Sequence, residues 1–227
     1  IRDRSPSRGL GDVYKRQAKH LDPDFLRYYY AGKLGPSADD IDLNLEDFLA
    51  RVNSDLVGKL VNIASRCAGF IHKLNDGEMA AALVDEKLFS EFSEAGNEIS
   101  INYEKRNYAQ NIRAIMALAD RANQYIDEQK PWIKAKQPGE YEKVIGICSL
   151  GLNFFRLLVI YLKPVLPSLA EKVEAFLNIK PLIWEDTKSP LLDHTIEPFK
   201  SLMQRIESDQ IEAIVTESLN QLPTADQ

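Results

Sequence analysis

Between Asp39 and Phe70, apolar residues recur at Phe48, Val52, Leu56, Leu60 and Ile63, flanked by Leu49, Val57, Val61 and Ala64. Recurrence every three or four residues lines one face of a helix and does not match the alternation of a strand. The stretch reads as one long amphipathic helix, with Asn44 placed to cap its N-terminus and Asp47 three residues on. Before it, Leu21 to Leu34 reads as a helix with Asp22 as cap and Pro23 at the first helical position, ended by Gly35 and Pro36. After it, Leu83 to Ile99 forms a shorter, more polar helix. Glu104 to Lys130 carries a stripe through Ile112, Ile115, Met116, Ala119, Ala122, Tyr125 and Ile126, and Lys130-Pro131 stops it, because a residue before proline disfavours helical geometry. Glu142 to Leu162 is the most apolar element and is expected at the centre of the core. Pro164 and Pro167 separate it from a helix over Leu169 to Leu177 that ends near Asn178. Trp184 to Pro198 is expected to be irregular, and a last helix starts at Ile211. Long helices with short joints and no strand-rich block predict an all-α helical bundle.

Hydrophobic content of 44% is ordinary for a globular protein, and no apolar run is expected to span a membrane. Cys67 and Cys148 lack metal-like spacing and read as buried thiols of a reducing compartment; His20, His72 and His194 are scattered, with no metal or catalytic grouping. Residues 1–17 are set aside as non-native, because IRDR (Ile1 to Arg4) and DVYKRQ (Asp12 to Gln17) read as two frames of one sequencing adapter. This segment carries Arg2, Arg4, Arg8, Lys15 and Arg16 against Asp3 and Asp12, a net +3, so the remaining residues carry −9 where the whole chain carries −6. So acidic a chain is a poor indiscriminate binder of nucleic acid. A local site remains open: between Arg51 and Lys73 the charges are Arg51, Lys59, Arg66 and Lys73, with only Asp55 opposing.

Two features in this frame bear on chemistry. Asn62 and Arg66 are an i, i+4 pair, so an amide and a guanidinium project the same way and match base edges or phosphate oxygens. By spacing alone a solvated helix face serves as well. Trp132 follows Pro131 at a helix end, with Lys130, Lys134 and Lys136 near in sequence; an indole there either stacks on a splayed base or covers a helix junction. Trp184, after Pro181, is assigned to packing. Tyr28, Tyr29 and Tyr30 are also read as packing residues, since three consecutive helical positions cannot share one face.

The segments LRYYYAGKLG (Leu26 to Gly35), DIDLNLEDF (Asp40 to Phe48), RVNSDLVGKLVNIASRCAGFI (Arg51 to Ile71) and DEQKPW (Asp127 to Trp132) occur in this order. Together they resemble the carboxyl-terminal part of bacterial methionyl-tRNA synthetases, class I aminoacyl-tRNA synthetases, from about His20 to Glu217. The resemblance implies the all-α anticodon-binding bundle of that class over residues 40–219. It implies the end of a connector region over 18–39 and the start of a linker over 220–227. It also implies reading of the CAU anticodon: Trp132 stacking on the first base, Asn62 bonding near it, Arg66 engaging the following bases or their backbone, and Pro131 fixing the indole. Gly58, one turn before Asn62, departs from the Asn common in relatives and is left out of the base-reading set. The implied partners are initiator and elongator methionine tRNAs in the cytoplasm. The parent would use ATP with Mg in a catalytic domain, and a further carboxyl-terminal domain would make it a homodimer. HIGH and KMSKS signatures are missing from the chain, so this piece is expected to hold no cofactor, to be monomeric and to be inactive alone. The rival expectations are a related bundle of another class I synthetase and a non-enzymatic helical protein-interaction module.

Overall fold

The computed structural model describes residues 22–36 and 42–210. The adapter-like segment 1–17, His20, the expected helix starts at Leu21 and Asp39, the helix from Ile211 and the linker 220–227 lie outside them. Among the described residues the elements are α1 (Pro23–Ala31), α2 (Leu45–Arg51), a π-helical segment (Val52–Val61), α3 (Asn62–Asn75), α4 (Glu86–Glu104), α5 (Tyr108–Gln129), the single turn α6 (Pro131–Lys134), α7 (Tyr141–Leu162), α8 (Pro167–Leu177) and a 3-10 turn (Trp184–Lys188). Apart from an isolated bridge between Glu78 and Thr195, no strand pairing occurs among these residues, and the fold is an all-α bundle.

Helix α7 organises the bundle. By length and composition it could cross a membrane, contrary to the expectation that no segment could, but the whole of that apolar stretch is buried inside the protein. Helices α3, α4, α5 and α8 pack around it. Its buried polar residues are satisfied. The Asn153 amide donates to the Ser149 and Leu191 carbonyls (2.9 Å each), and its Oδ1 accepts the Leu191 N–H at 2.6 Å. The Arg156 guanidinium donates to the carbonyls of Asp186 (2.5 Å) and Ser189 (3.0 Å). Burial without a full counter-charge lowers the Arg156 pKa. These bonds seat the 184–191 segment against α7, so the region expected to be irregular is firmly held, beginning with the 3-10 turn. Trp184 is a packing residue there, its ring 5.4 Å from that of Tyr161.

The expected long helix is three joined pieces from Leu45 to Asn75. Asn44 caps it as expected, its Oδ1 accepting the Asp47 N–H at 2.9 Å. The ten-residue π-helical middle departs from regular α geometry. Phe48, Val52, Leu56 and Leu60 are all buried at intervals of four. In a 3.6-residue helix each such step drifts by about 40°, enough over three steps to leave an apolar face about 100° wide. Wider turns closing i to i+5 counter that drift. Gly58 sits in this stretch, where an added Cβ would lie 3.2 Å from the Asn53 carbonyl oxygen. Helix α4 runs on to Glu104 and α5 starts at Tyr108, five residues beyond and four residues after the expected bounds. The break is made by Arg106 in the left-handed region (φ 61°), with no Gly or Pro to announce it.

Helix α1 begins as expected, with Asp22 capping and Pro23 at its first position, but stops at Ala31. Tyr28 and Tyr29 are buried: Tyr28 donates to Asp55 at 2.8 Å, and Tyr29 accepts the Asn44 N–H at 3.1 Å. The buried Asp24 carboxylate accepts the Leu169 N–H at 3.0 Å, in the first turn of α8, whose own cap position, Leu166, has no capping side chain. Farther along, Asn53 exchanges two bonds with Ile206 (2.8 and 2.9 Å), which ties the extended 201–206 segment to the π-helical turn.

Two measurements test this packing. An added Cβ at Gly151 would lie 2.7 Å from Cys67 Sγ, where α3 and α7 approach closely. Gly151→Ala should therefore destabilise the protein by about 1–3 kcal/mol in urea unfolding; an unchanged midpoint would show the contact to be loose. Burial raises the Asp24 pKa above its ordinary 3.8, overcoming the lowering by the Leu169 N–H and Arg27. The folded chain thus holds this proton more tightly than the unfolded one. Its stabilisation is fully present below the unfolded value and is lost as pH rises through the raised value. Asp24→Asn should remove that part of the fall in stability above pH 3.8.

Candidate nucleic-acid interface

Helices α3 and α5 lie side by side and run in the same direction. Three side-chain pairs join the π-helical segment and α3 to α5, each between residues 61 apart: Lys59 with Asp120, Asn62 with Asn123, and Arg66 with Asp127. A constant difference in number defines parallel helices, and spacings of three and four keep all three contacts on one line. Lys59 Nζ reaches Asp120 at 3.0 Å, and Asn62 Nδ2 donates to Asn123 Oδ1 at 3.1 Å. Arg66 forms a close ion pair with Asp127, whose side chain is 62% exposed.

At the lower end of this line α5 terminates on Lys130, left-handed at φ 48°, whose N–H still reaches the Ile126 carbonyl. Pro131 then starts α6 at its first position and is buried, so its part is to set the backbone and not to touch a ligand. The turn carries Trp132 back over α3. The indole is half-buried against the core, and the Arg66 guanidinium lies over its ring, 4.9 Å from the centroid. Lys134 folds back to donate to the Gln129 carbonyl, while Lys130 and Lys136 stay exposed. The four residues singled out in the sequence therefore fall in one place. Asn62, Arg66 and Trp132 form its surface, with Pro131 as the support beneath the indole.

The polar partners Asn123, Asp120 and Asp127 were not legible beforehand. They also change the charge picture. Of the four basic residues from Arg51 to Lys73, Arg51 pairs with Asp47 at 2.7 Å, and Lys59 and Arg66 pair across to α5. The two bonds from Arg51 and Lys33 hold the Asp47 pKa below the ordinary carboxylate range. The apparent basic strip is thus largely neutralised. What it offers is an aromatic face, a planar guanidinium and an amide, a set suited to unstacked bases more than to a phosphate track. Gly58 is exposed one turn above Asn62 and adds no side chain to this surface. Cys67 and Cys148 are both free and buried, and they are neighbours across α3 and α7, where the hydrogen bond with Cys67 and then burial raise the Cys148 pKa. Among the described residues, no group of three or more His, Cys, Asp or Glu side chains is arranged to hold a metal ion.

A bundle of this class with such a surface matches known proteins. The family described as "Anticodon binding domain of methionyl tRNA ligase" matches residues 74–217, and the family described as "tRNA synthetases class I (M)" matches residues 3–68. The chain belongs to the methionyl-tRNA ligase anticodon-binding family. Asn62 and Arg66 lie in the first matched stretch along the chain, and Asn123, Asp127, Pro131 and Trp132 in the second. The fold is also that of the methionyl-tRNA synthetase of Mycobacterium tuberculosis. Its apo form superposes with TM-score 0.75 at 19% identity over 86% of this chain. Its methionyl-adenylate complexes superpose with TM-scores of 0.72 (20% identity, 83% of this chain) and 0.74 (19%, 90%). The chain spans 41%, 38% and 42% of those three chains, respectively.

With Asp127 so exposed, its pair with Arg66 should contribute little to folding. Asp127→Ala is expected to shift stability by no more than about 1 kcal/mol in urea unfolding. A larger loss would mean that the pair holds α3 and α5 together.

Proposed function

We propose that this chain is the anticodon-reading part of a methionine–tRNA ligase and that the surface formed by Asn62, Arg66 and Trp132 reads the CAU loop. The observation that carries the reading is the Arg66 guanidinium lying over the Trp132 indole, one helical turn from the Asn62 amide. A splayed base needs an aromatic or planar cationic face and a polar edge, and these groups supply both in one place. In this reading the first anticodon base, cytosine, takes the indole face now covered by Arg66. The displaced guanidinium stays tethered to Asp127 and turns toward the next bases or their backbone. Pro131 limits the backbone under the indole, so that Trp132 meets the base with little freedom left to lose.

The parent enzyme would join methionine to initiator and elongator methionine tRNAs in the cytoplasm, using ATP with Mg in its catalytic domain. On this proposal the chain alone forms no adenylate and is a monomer. A parent homodimer would form through a further carboxyl-terminal domain. Helix α1 would be the end of the connector, packed on the bundle through Tyr28 and Tyr29.

A fluorescence titration of the chain with an anticodon stem-loop carrying CAU tests the reading. Trp132→Ala is expected to weaken binding by roughly tenfold or more, the loss of one base–aromatic stack, with the thermal midpoint little changed. Binding that ignores the anticodon sequence and survives Trp132→Ala would instead favour a protein-interaction module.

A further inference from the structure

We propose that Asn123 is a positioning residue that gives this surface its base preference. It fixes the Asn62 amide with Oδ1 outward, so that the site selects a base offering an exocyclic amino group. The inference rests on the anticodon reading above and adds the determinant that distinguishes cytosine from uracil.

The argument is one of donor and acceptor accounting. Asn123 Nδ2 donates to the Lys59 carbonyl and to the Ala119 carbonyl, 3.0 Å each. Both of its protons are thereby used. Turning this amide over would set Oδ1 against two carbonyl oxygens, so its orientation is fixed. The remaining group, Oδ1, only accepts, and it meets Asn62 Nδ2 at 3.1 Å. That contact fixes the second amide in turn. Asn62 Oδ1 has no hydrogen-bond partner among the described residues, yet it is not one of the buried unpartnered atoms, which are His72 Nε2 and Asn111 Oδ1. It is therefore not a sealed atom, and it lies one helical turn from Arg66, which covers Trp132.

Asn62 thus keeps its Nδ2 on the Asn123 side and leaves the acceptor Oδ1 for whatever stacks on the indole. Cytosine offers an amino group on its pairing edge where uracil carries a carbonyl oxygen. Facing uracil, a free asparagine would turn its NH2 outward. Asn62 cannot do so without breaking its bond to Asn123 and setting two amide oxygens against each other. The selection is therefore made by a residue that needs no contact with RNA.

The test is fluorescence anisotropy of labelled anticodon stem-loops, CAU against UAU, with the 227-residue chain and with Asn123→Ala and Asn123→Ser. The wild type should prefer cytosine by roughly tenfold, and either variant should reduce the preference below about threefold. The loss should fall on the CAU loop, with affinity for the UAU loop moving less than about twofold and quenching of Trp132 retained. The serine variant keeps a hydroxyl that can bond the Ala119 carbonyl, so it guards against simple misfolding, checked by circular dichroism. A variant that keeps the preference, or that weakens both loops equally, overturns the role of Asn123 and leaves the anticodon reading standing. A folded wild type that binds neither loop, or does not distinguish them, overturns both.

Discussion

The bundle depends on covering one apolar helix on all sides. Helix α7 is buried along almost its whole length, so every neighbour is placed by what it must shield. The constraint is strict because α7 also buries an amide and a guanidinium, whose donors would each be costly if left without partners. The 184–191 segment meets that need with backbone carbonyls. The polar residues of α7 are therefore the reason a stretch without regular helix has a defined course. Glycine sets the closeness on another side: α3 approaches until Cys67 rests on Gly151.

This core explains why the proposed reading surface lies where it does. Helices α3 and α5 turn their apolar sides to α7, and the polar line between them falls at the outer seam. There Asn62 and Arg66 meet Asn123, Asp127 and the returning indole. The acidic partners neutralise most of the local positive charge. On the proposed reading, recognition by this surface rests on stacking and on donor–acceptor geometry, terms less sensitive to salt than a row of phosphate contacts.

Much of this was legible in the residues. Asn44, Asp22 and Pro23 mark helix starts because capping is local chemistry, and Pro131 marks a helix end for the same reason. Asn62, Arg66 and Trp132 could be chosen from side-chain type together with a resemblance carried by long ordered segments. The π-helical stretch was not legible, because intervals of four fit an α-helix at each step and fail only over several turns. The break at Arg106 was hidden because an ordinary residue takes the left-handed conformation there. Asn123 and Asp127 look like any exposed polar residues of α5. Their roles come from pairing across 61 positions, which no local pattern contains.

The constant offset of that pairing bears on how the chain can vary in length. A residue inserted between 76 and 85, or in the turn at 105–107, would renumber α5 and leave every cross-helix pair in place. One inserted between Lys59 and Arg66, or between Asp120 and Asp127, would turn part of a helix by about 100° and put the pairs beyond it out of step. Relatives of this chain should therefore differ in length within the joints and keep these two eight-residue windows free of gaps, whatever their overall divergence.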